Sequence, residues 1–129
     1  MKFNLQTGTK GYREMIVEHE ATAARFGSGL VEVFATPAMV ALMEGTSQFS
    51  IQDRLPEGYI TVGTEVNIKH LKATPKGKKV WCESELIEIE GRKLTFRVDA
   101  WDEEGIIGAG THQRFIVHKE TFMQRLIRH

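Results

Sequence analysis

The segment from Thr36 to Ser50 constrains the fold of this chain more than any other. Thr36 and Pro37 form a helix start signal, because a threonine hydroxyl can cap free backbone N–H groups and proline lacks the N–H that a first helical residue leaves unbonded. The seven residues from Ala38 to Glu44 include one polar side chain, so the helix is apolar nearly all round, as helices surrounded by other structure are. The sequence predicts a buried central helix that begins at Thr36.

Glu44 is the only formally charged residue between Glu32 and Asp53. A carboxylate in apolar surroundings must be protonated, paired or beside water, since burying it alone costs several kcal/mol. The helix is also too short to cross a bilayer, which takes about 20 apolar residues. Glu44 is therefore the first candidate for a functional side chain.

Composition excludes several functional classes. Seventeen basic residues balance seventeen acidic ones, so net charge gives no reason to expect nucleic acid or membrane binding. The single cysteine, Cys82, excludes an internal disulfide and suits a reducing compartment. With no signal segment and no membrane-length apolar run, we expect one domain over residues 1–129, located in the cytoplasm.

Alternating apolar residues predict strands on both sides of the helix. The segments are Gly11–Ala23 before the helix, then Tyr59–Lys72, a strand from Val80 to the Glu90-Gly91 turn with a bulge at Leu86-Ile87, Leu94–Trp101, and Ile106–Val117. The last four are joined by short turns, which require antiparallel pairing because parallel neighbours need long crossovers. One antiparallel sheet must then cover the central helix, giving an α+β fold.

A second helix is predicted from Lys119 to Arg128, with four apolar residues on one face that should dock on the sheet: Phe122, Met123, Leu126 and Ile127. Strands this long leave an edge that must be protected, so a homodimer or a dimer of dimers is expected. The Gly27-Ser28-Gly29 break before Leu30 is consistent with either a plain connector or a lid.

Three polar side chains are the candidates for chemistry: Thr36, Glu44 and His70. Thr36 and Glu44 lie roughly 80° apart around the helix and about 12 Å apart along it, so both can line one elongated pocket. Alternation puts His70 on the strand face that covers the helix, and Gly63 on the opposite face. Structural roles stay open: His70 as a satisfied core histidine, Thr36 as a cap, and Glu44 paired with His70. Motifs for zinc, phosphate loops and dinucleotides are absent.

Three stretches together resemble a hotdog-fold thioesterase of the fluoroacetyl-CoA thioesterase-like branch. They are Thr36-Pro37 before the helix with Glu44, the run from Val62 to Gly77 that contains Val-Gly-Thr-Glu-Val-Asn-Ile-Lys-His-Leu, and Gly110-Thr111-His112-Gln113-Arg114. The resemblance implies a long sheet wrapped around the central helix and a dimer with acyl-CoA sites at the subunit interface. It also implies a catalytic set of Thr36, Glu44 and His70, with Gly63 and Arg114 binding substrate.

The implied activity is hydrolysis of a small or medium acyl-CoA, with CoA as part of the substrate and no other cofactor. Glu44 can act as general base or as nucleophile, and an acyl carrier protein thioester stays open as substrate. The glycine-rich stretch before Leu30 argues against fluoroacetyl-CoA. Candidates for contacts to the CoA phosphates are Lys72, Lys76, Lys78 and Arg114.

Two other functions remain. One is a non-catalytic acyl-CoA or small-ligand binding module, in which Glu44 and His70 only satisfy each other. The other is a dehydratase, whose usual His and acid arrangement is absent from this sequence.

Overall fold

The computed structural model describes residues 2–27 and 29–128. Its elements are β1 (Lys10–Ile16), a 3₁₀ turn (His19–Ala21), α1 (Ala23–Phe26), α2 (Thr36–Gln52), β2 (Tyr59–His70), β3 (Lys79–Glu90), β4 (Lys93–Asp102), β5 (Gly105–His118) and α3 (Lys119–Ile127). No helix in these residues is long and apolar enough to cross a membrane.

All five strands form one antiparallel sheet in the order β1-β3-β4-β5-β2. Helix α2 lies across one face of this sheet and contacts every strand. Met39, Met43 and Ile51 of α2 are completely buried, because the sheet surrounds the side of the helix that carries them. The prediction of an antiparallel sheet wrapped around a buried central helix is confirmed.

The inner face of the sheet supplies the rest of the core. Alternate residues of β3 and β4 point toward α2 and are fully buried: Val80, Cys82, Leu86, Leu94, Phe96, Val98 and Ala100. Gly108 of β5 lacks a side chain where Met39 packs, since a Cβ there would meet the Met39 sulfur at 2.5 Å. The helix therefore sits close against β5 at this level.

A bulge in β2 changes which of its residues face the helix. The register shifts between Gly63, which pairs with Arg114, and Glu65, so one extra residue reverses the alternation. Gly63 and His70, seven residues apart, consequently lie on the same inner face. The predicted separation of these two residues onto opposite faces is wrong. The bulge predicted at Leu86-Ile87 is confirmed, because the β3 register shifts between Leu86 and Glu88.

The first strand is shorter than predicted. It ends at Ile16, and the chain then makes a 3₁₀ turn and the short helix α1, where Thr22 accepts a hydrogen bond from the Arg25 N–H. His19 is exposed beside Glu32 rather than on an apolar strand face. The Gly27-Ser28-Gly29 break follows α1, and Ser28 lies outside the described residues.

Helix α3 does not dock as predicted. It has no buried residue, and Met123, Leu126 and Ile127 are 45, 57 and 77% exposed. The helix begins directly after β5, where the His118 side chain caps it by accepting from the Thr121 N–H. This connection leaves α3 at the end of the sheet instead of across a face.

Candidate active site

Thr36 and His70 are joined by a hydrogen bond of 2.8 Å between Thr36 Oγ1 and His70 Nδ1. The predicted capping role of Thr36 is wrong: the N-cap residue is Ala35, no side chain caps the helix, and Thr36 is already helical. The Thr36 hydroxyl is thus free for His70 because the helix starts without using it. Two residues 34 positions apart meet where the start of α2 lies beside the end of β2.

His70 has one engaged ring nitrogen and one available nitrogen. Its Nε2 atom is buried and has no hydrogen-bond partner among the described residues. Burial lowers the pKa of His70 below the ordinary value of 6.5, so the ring is neutral at neutral pH. The Phe34 ring stands edge-on to the imidazole at 6.5 Å. A cavity of about 370 Å³ opens over this pair, within the size range of ligand sites.

Glu44 lies at a second group of polar residues, on β2 and β5. A Cβ added at Gly63 would lie 3.0 Å from Glu44 Oε2, 3.2 Å from His112 Cε1 and 3.4 Å from Arg114 Nη1. Because Gly63 has no side chain, these three groups approach its backbone closely, while Gly63 itself stays exposed. Glu44 itself makes no side-chain hydrogen bond and no ion pair within 4.0 Å among residues 2–27 and 29–128.

His112 and Arg114 form a fixed network beside Gly63. His112 is completely buried, and its Nδ1 lies 2.8 Å from the Glu65 carbonyl oxygen. Because a carbonyl only accepts, Nδ1 carries the proton and donates, and Nε2 is left to accept from Arg114 Nη1 at 3.0 Å. Arg114 also donates to Thr61, from Nε to the hydroxyl at 2.7 Å and from Nη2 to the carbonyl at 3.0 Å.

The charges of this network are set by burial and by one another. Burial lowers the pKa of His112, and the nearby Arg114 cation lowers it further. Arg114 is itself buried, which lowers its pKa, while the Glu44 carboxylate works in the opposite direction. The result is a neutral histidine that is bonded to the Arg114 cation and lies close to the Glu44 carboxylate.

The predicted site residues thus fall into two groups. Thr36 pairs with His70 near the start of α2, and Glu44 lies with Gly63 and Arg114 two turns further along the helix. The suggested structural pairing of Glu44 with His70 is wrong for this chain, because His70 bonds Thr36 and Glu44 faces Gly63.

Most of the predicted phosphate contacts are already engaged. Lys72 Nζ lies 2.7 Å from Asp102, and Lys76 Nζ lies 3.3 Å from Glu32. Arg114 is 8% exposed, and all three of its nitrogens bond within the protein, so its surroundings are those of an interior group. Lys78 is exposed at the same turn and keeps the predicted role.

His112 is a polar residue of the site that the sequence reasoning missed. It stands two residues before Arg114, and this spacing puts both side chains on one face of a strand. The signal was present in the Gly110–Arg114 stretch. It was overlooked because only Arg114 was assigned to the site.

Known proteins share this architecture. A model of the family described as "FlK: Fluoroacetyl-CoA-specific thioesterase" matches residues 17–120. The fluoroacetyl-CoA thioesterase of Streptantibioticus cattleyicolor is 43% identical over 91 residues, which make up 70% of this chain and 66%, slightly less than two thirds, of that relative.

Solved structures agree with this assignment. The structure of the fluoroacetyl-CoA thioesterase FlK superimposes with a TM-score of 0.91, at 32% identity over 97% of both chains. A hot-dog-like protein from Thermanaerovibrio acidaminovorans has a TM-score of 0.89 at 22% identity over 96% of this chain and 92% of its own, which supports the fold alone. This chain therefore has the hotdog fold and belongs to the fluoroacetyl-CoA-specific thioesterase family.

Proposed function

We propose that the protein hydrolyses the thioester of a small or medium acyl-CoA to the free acid and CoA. The observation that carries this proposal is the Glu44 carboxylate, which has no partner in the described residues and lies against the exposed backbone of Gly63. Buried polar groups are normally paired, so a half-buried carboxylate without a protein partner is available to water or a ligand. The family and the relatives named for fluoroacetyl-CoA support a short acyl group.

Glu44 is the proposed reacting group. Acting as general base, it removes a proton from water while the water oxygen adds to the thioester carbonyl carbon, and the C–S bond then breaks to release the CoA thiolate. Acting as nucleophile, it adds to the same carbon, the C–S bond breaks to release the CoA thiolate, and water then hydrolyses the resulting anhydride. Label found in the protein after a single turnover in ¹⁸O-water would establish the anhydride route, because only water that attacks the anhydride at the Glu44 carbonyl leaves label there.

Thr36 and His70 are proposed to contact the departing sulfur in the assembled dimer, since within one subunit they lie two turns of α2 from Glu44. If the Thr36 hydroxyl donates to Nδ1, the proton of the neutral imidazole is on Nε2, which is buried, so the exposed Thr36 hydroxyl is the group of the pair that a substrate reaches first. The backbone at Gly63 and the Arg114 cation are proposed to stabilise the oxyanion of the tetrahedral centre.

A homodimer is proposed to complete the site. Strand β2 is the last strand of the sheet, is 12 residues long, and has a run of exposed residues from Gly63 to Asn67. An unpaired edge of this length favours pairing with a second copy of the chain. A charge at the half-exposed Val66, in the variant Val66→Lys, is expected to give monomers in analytical ultracentrifugation. An unchanged dimer would exclude β2 as the interface.

The cofactor requirement, the phosphate contacts and the cellular location are proposed from the sequence. The reaction needs no cofactor beyond the CoA of the substrate, and Lys78 is a candidate contact for its phosphates. Location in the cytoplasm is proposed from the lone cysteine, Cys82. Whether CoA or an acyl carrier protein carries the acyl group is decided by comparing both thioesters in one assay.

The test is thiol release from a panel of acyl-CoAs that includes acetyl-CoA, fluoroacetyl-CoA and longer chains. Glu44→Gln is expected to lower turnover by about 10²-fold or more with little loss of fold, because general-base removal typically costs this much. Glu57→Gln, the same change at an exposed carboxylate of the α2–β2 loop, serves as the matched control. Binding of acyl-CoA without thiol release from any substrate would instead support a binding module.

A further inference from the structure

Asp102 is a buried carboxylate outside the two groups described above. It is the last residue of β4 and is 5% exposed. Its Oδ2 accepts hydrogen bonds from Lys72 Nζ at 2.7 Å and Thr74 Oγ1 at 2.8 Å, and its Oδ1 accepts from the Glu104 N–H at 2.9 Å. Lys72 also lies 3.9 Å from the exposed Glu104 carboxylate. One carboxylate therefore ties the β4–β5 turn to the segment that follows β2.

The first connection leads from Asp102 to Thr36. Thr74, fixed by Asp102 through its side chain, accepts a hydrogen bond of 2.8 Å at its carbonyl from the Phe34 N–H. The contact continues as a bridge between Val33 and the residue after Thr74. Phe34 precedes Thr36 by two residues and is 1% exposed. The position of the Thr36 hydroxyl thus depends on the segment that Asp102 holds.

The second connection leads from Asp102 to His70. Lys72 follows His70 by two residues, and its ammonium group bonds the same Oδ2 atom that Thr74 bonds. The intervening Leu71 donates its N–H to the Ile107 carbonyl at 2.7 Å. The chain that leaves His70 is therefore fixed to both ends of the β4–β5 turn.

We propose that Asp102 is a positioning residue that holds Thr36 and His70 at hydrogen-bond distance. It does so by fixing the chain just before Thr36 and just after His70. This inference rests on the proposed function, since it assigns Asp102 to the thioesterase site through Thr36 and His70. Asp102 does not touch the pair. It acts because the two partners come from different segments: the Asp102 carboxylate bonds Lys72, two residues after His70, and Thr74, whose carbonyl accepts from Phe34, two residues before Thr36.

The charge of Asp102 matters for this role. Burial alone would raise its pKa, but the hydrogen bonds from Lys72 and Thr74 hold the pKa below its ordinary value of 3.8. An asparagine has the same shape but only one accepting oxygen and no charge to attract Lys72. Because Lys72 and Thr74 share Oδ2, Asp102→Asn keeps both donors only if its NH₂ group faces the Glu104 N–H, so it loses either that bond or the other two, and it loses the charge in either case.

The kinetic test compares Asp102→Asn with wild type and with Ile51→Val. Asp102→Asn is expected to lower kcat by about tenfold to hundredfold with little change in KM, since small displacements of reacting groups cost this much. Ile51 is fully buried near the other end of α2, so Ile51→Val loses stability without disturbing the pair, and its kcat should equal that of wild type. If Asp102→Asn fails to fold, Lys72→Met and Thr74→Val each remove one connection and should each show a smaller loss of kcat.

A spectroscopic test does not depend on activity. The imidazole ¹⁵N signals of His70 are measured in wild type, in Asp102→Asn, and in Thr36→Val, where the hydrogen bond to Nδ1 cannot form. The Asp102→Asn signals are expected to move toward those of Thr36→Val. Unchanged His70 signals in a folded Asp102→Asn protein would overturn the inference, whatever the effect on kcat. Absence of thioesterase activity in wild type would count against the proposed function alone, because the His70 signals would still report on the positioning.

Discussion

Replacing Gly63 by alanine tests whether the substrate binds at the Gly63 backbone beside Glu44. The backbone at Gly63 does not require glycine, because its φ is not positive. The added methyl group would lie 3.0 Å from Glu44 Oε2 and 3.2 Å from His112 Cε1. Since carbon atoms in contact prefer about 3.5–4.0 Å, the His112 ring would have to retreat by roughly 0.3–0.8 Å. Glu44 can rotate away, whereas His112 and Arg114 are fixed by hydrogen bonds.

The cost to the fold should be small and the cost to activity large. Overpacking by one methyl group typically lowers the free energy of unfolding by 1–3 kcal/mol. Because the Glu44 side chain is free to move away, we expect a loss at the low end of this range, about 1 kcal/mol. For a chain of this length that corresponds to a fall in melting temperature of about 3–5 °C. Turnover should fall by about 10²-fold, because the methyl group occupies the proposed position of the acyl carbonyl and turns Glu44 away.

Thiol release and thermal unfolding are measured on Gly63→Ala together with Gly45→Ala. A Cβ at Gly45 would meet only the end of the flexible, exposed Arg13 side chain, at 2.6 Å from Nη1, which can move aside, and alanine favours a helix over glycine by about 0.5–1 kcal/mol. The control should therefore keep its activity and gain stability. Turnover of Gly63→Ala within about threefold of wild type, a barrier change below about 1 kcal/mol, would refute this placement of the substrate.

Three further predictions concern titratable groups. His112→Phe leaves Arg114 and the Glu65 carbonyl without their partner, so it should destabilise the fold by about 1–3 kcal/mol in urea unfolding and lower turnover. His112→Gln can still accept from Arg114, so it should keep more of the stability and more of the turnover than His112→Phe. Burial lowers the pKa values of His70 and His112 below 6.5 in the folded state. Because the unfolded chain binds more protons at these two histidines, the free energy of unfolding should fall as the pH drops below about 6.5. A free energy of unfolding that does not change with pH in this range would contradict the prediction. Burial raises the pKa of Cys82 from 9.0 to about 11, so the folded protein should not react with thiol dyes at pH 8, and its stability should decrease as pH rises from 9 to 11, where the unfolded thiol ionises first.

The sequence was sufficient for the elements and for the class of fold. Apolar alternation and short turns predicted the antiparallel sheet, and the apolar segment after Thr36 predicted the central helix that it wraps. Prediction from the sequence was less reliable where the local preference of a segment competes with its tertiary contacts. The chain after Ile16 alternates like a strand but is coiled into a 3₁₀ turn and α1, and the apolar face of α3 predicts docking that does not occur, because the helix starts at the end of the sheet.

Thr36, Glu44 and His70 were identifiable from the sequence because each is a polar group in apolar surroundings or part of a recognisable motif. Their arrangement was decided only by the tertiary structure. The β2 bulge at Gly63 inserts one residue into the alternation, and only this insertion brings Gly63 to the same face as His70. Pairing across the sheet and against α2 likewise selected His70 as the partner of Thr36 and left Glu44 facing Gly63. Residue types and periodicity record which side chains must avoid water, whereas register and helix placement, which depend on the whole core, determine which polar groups meet.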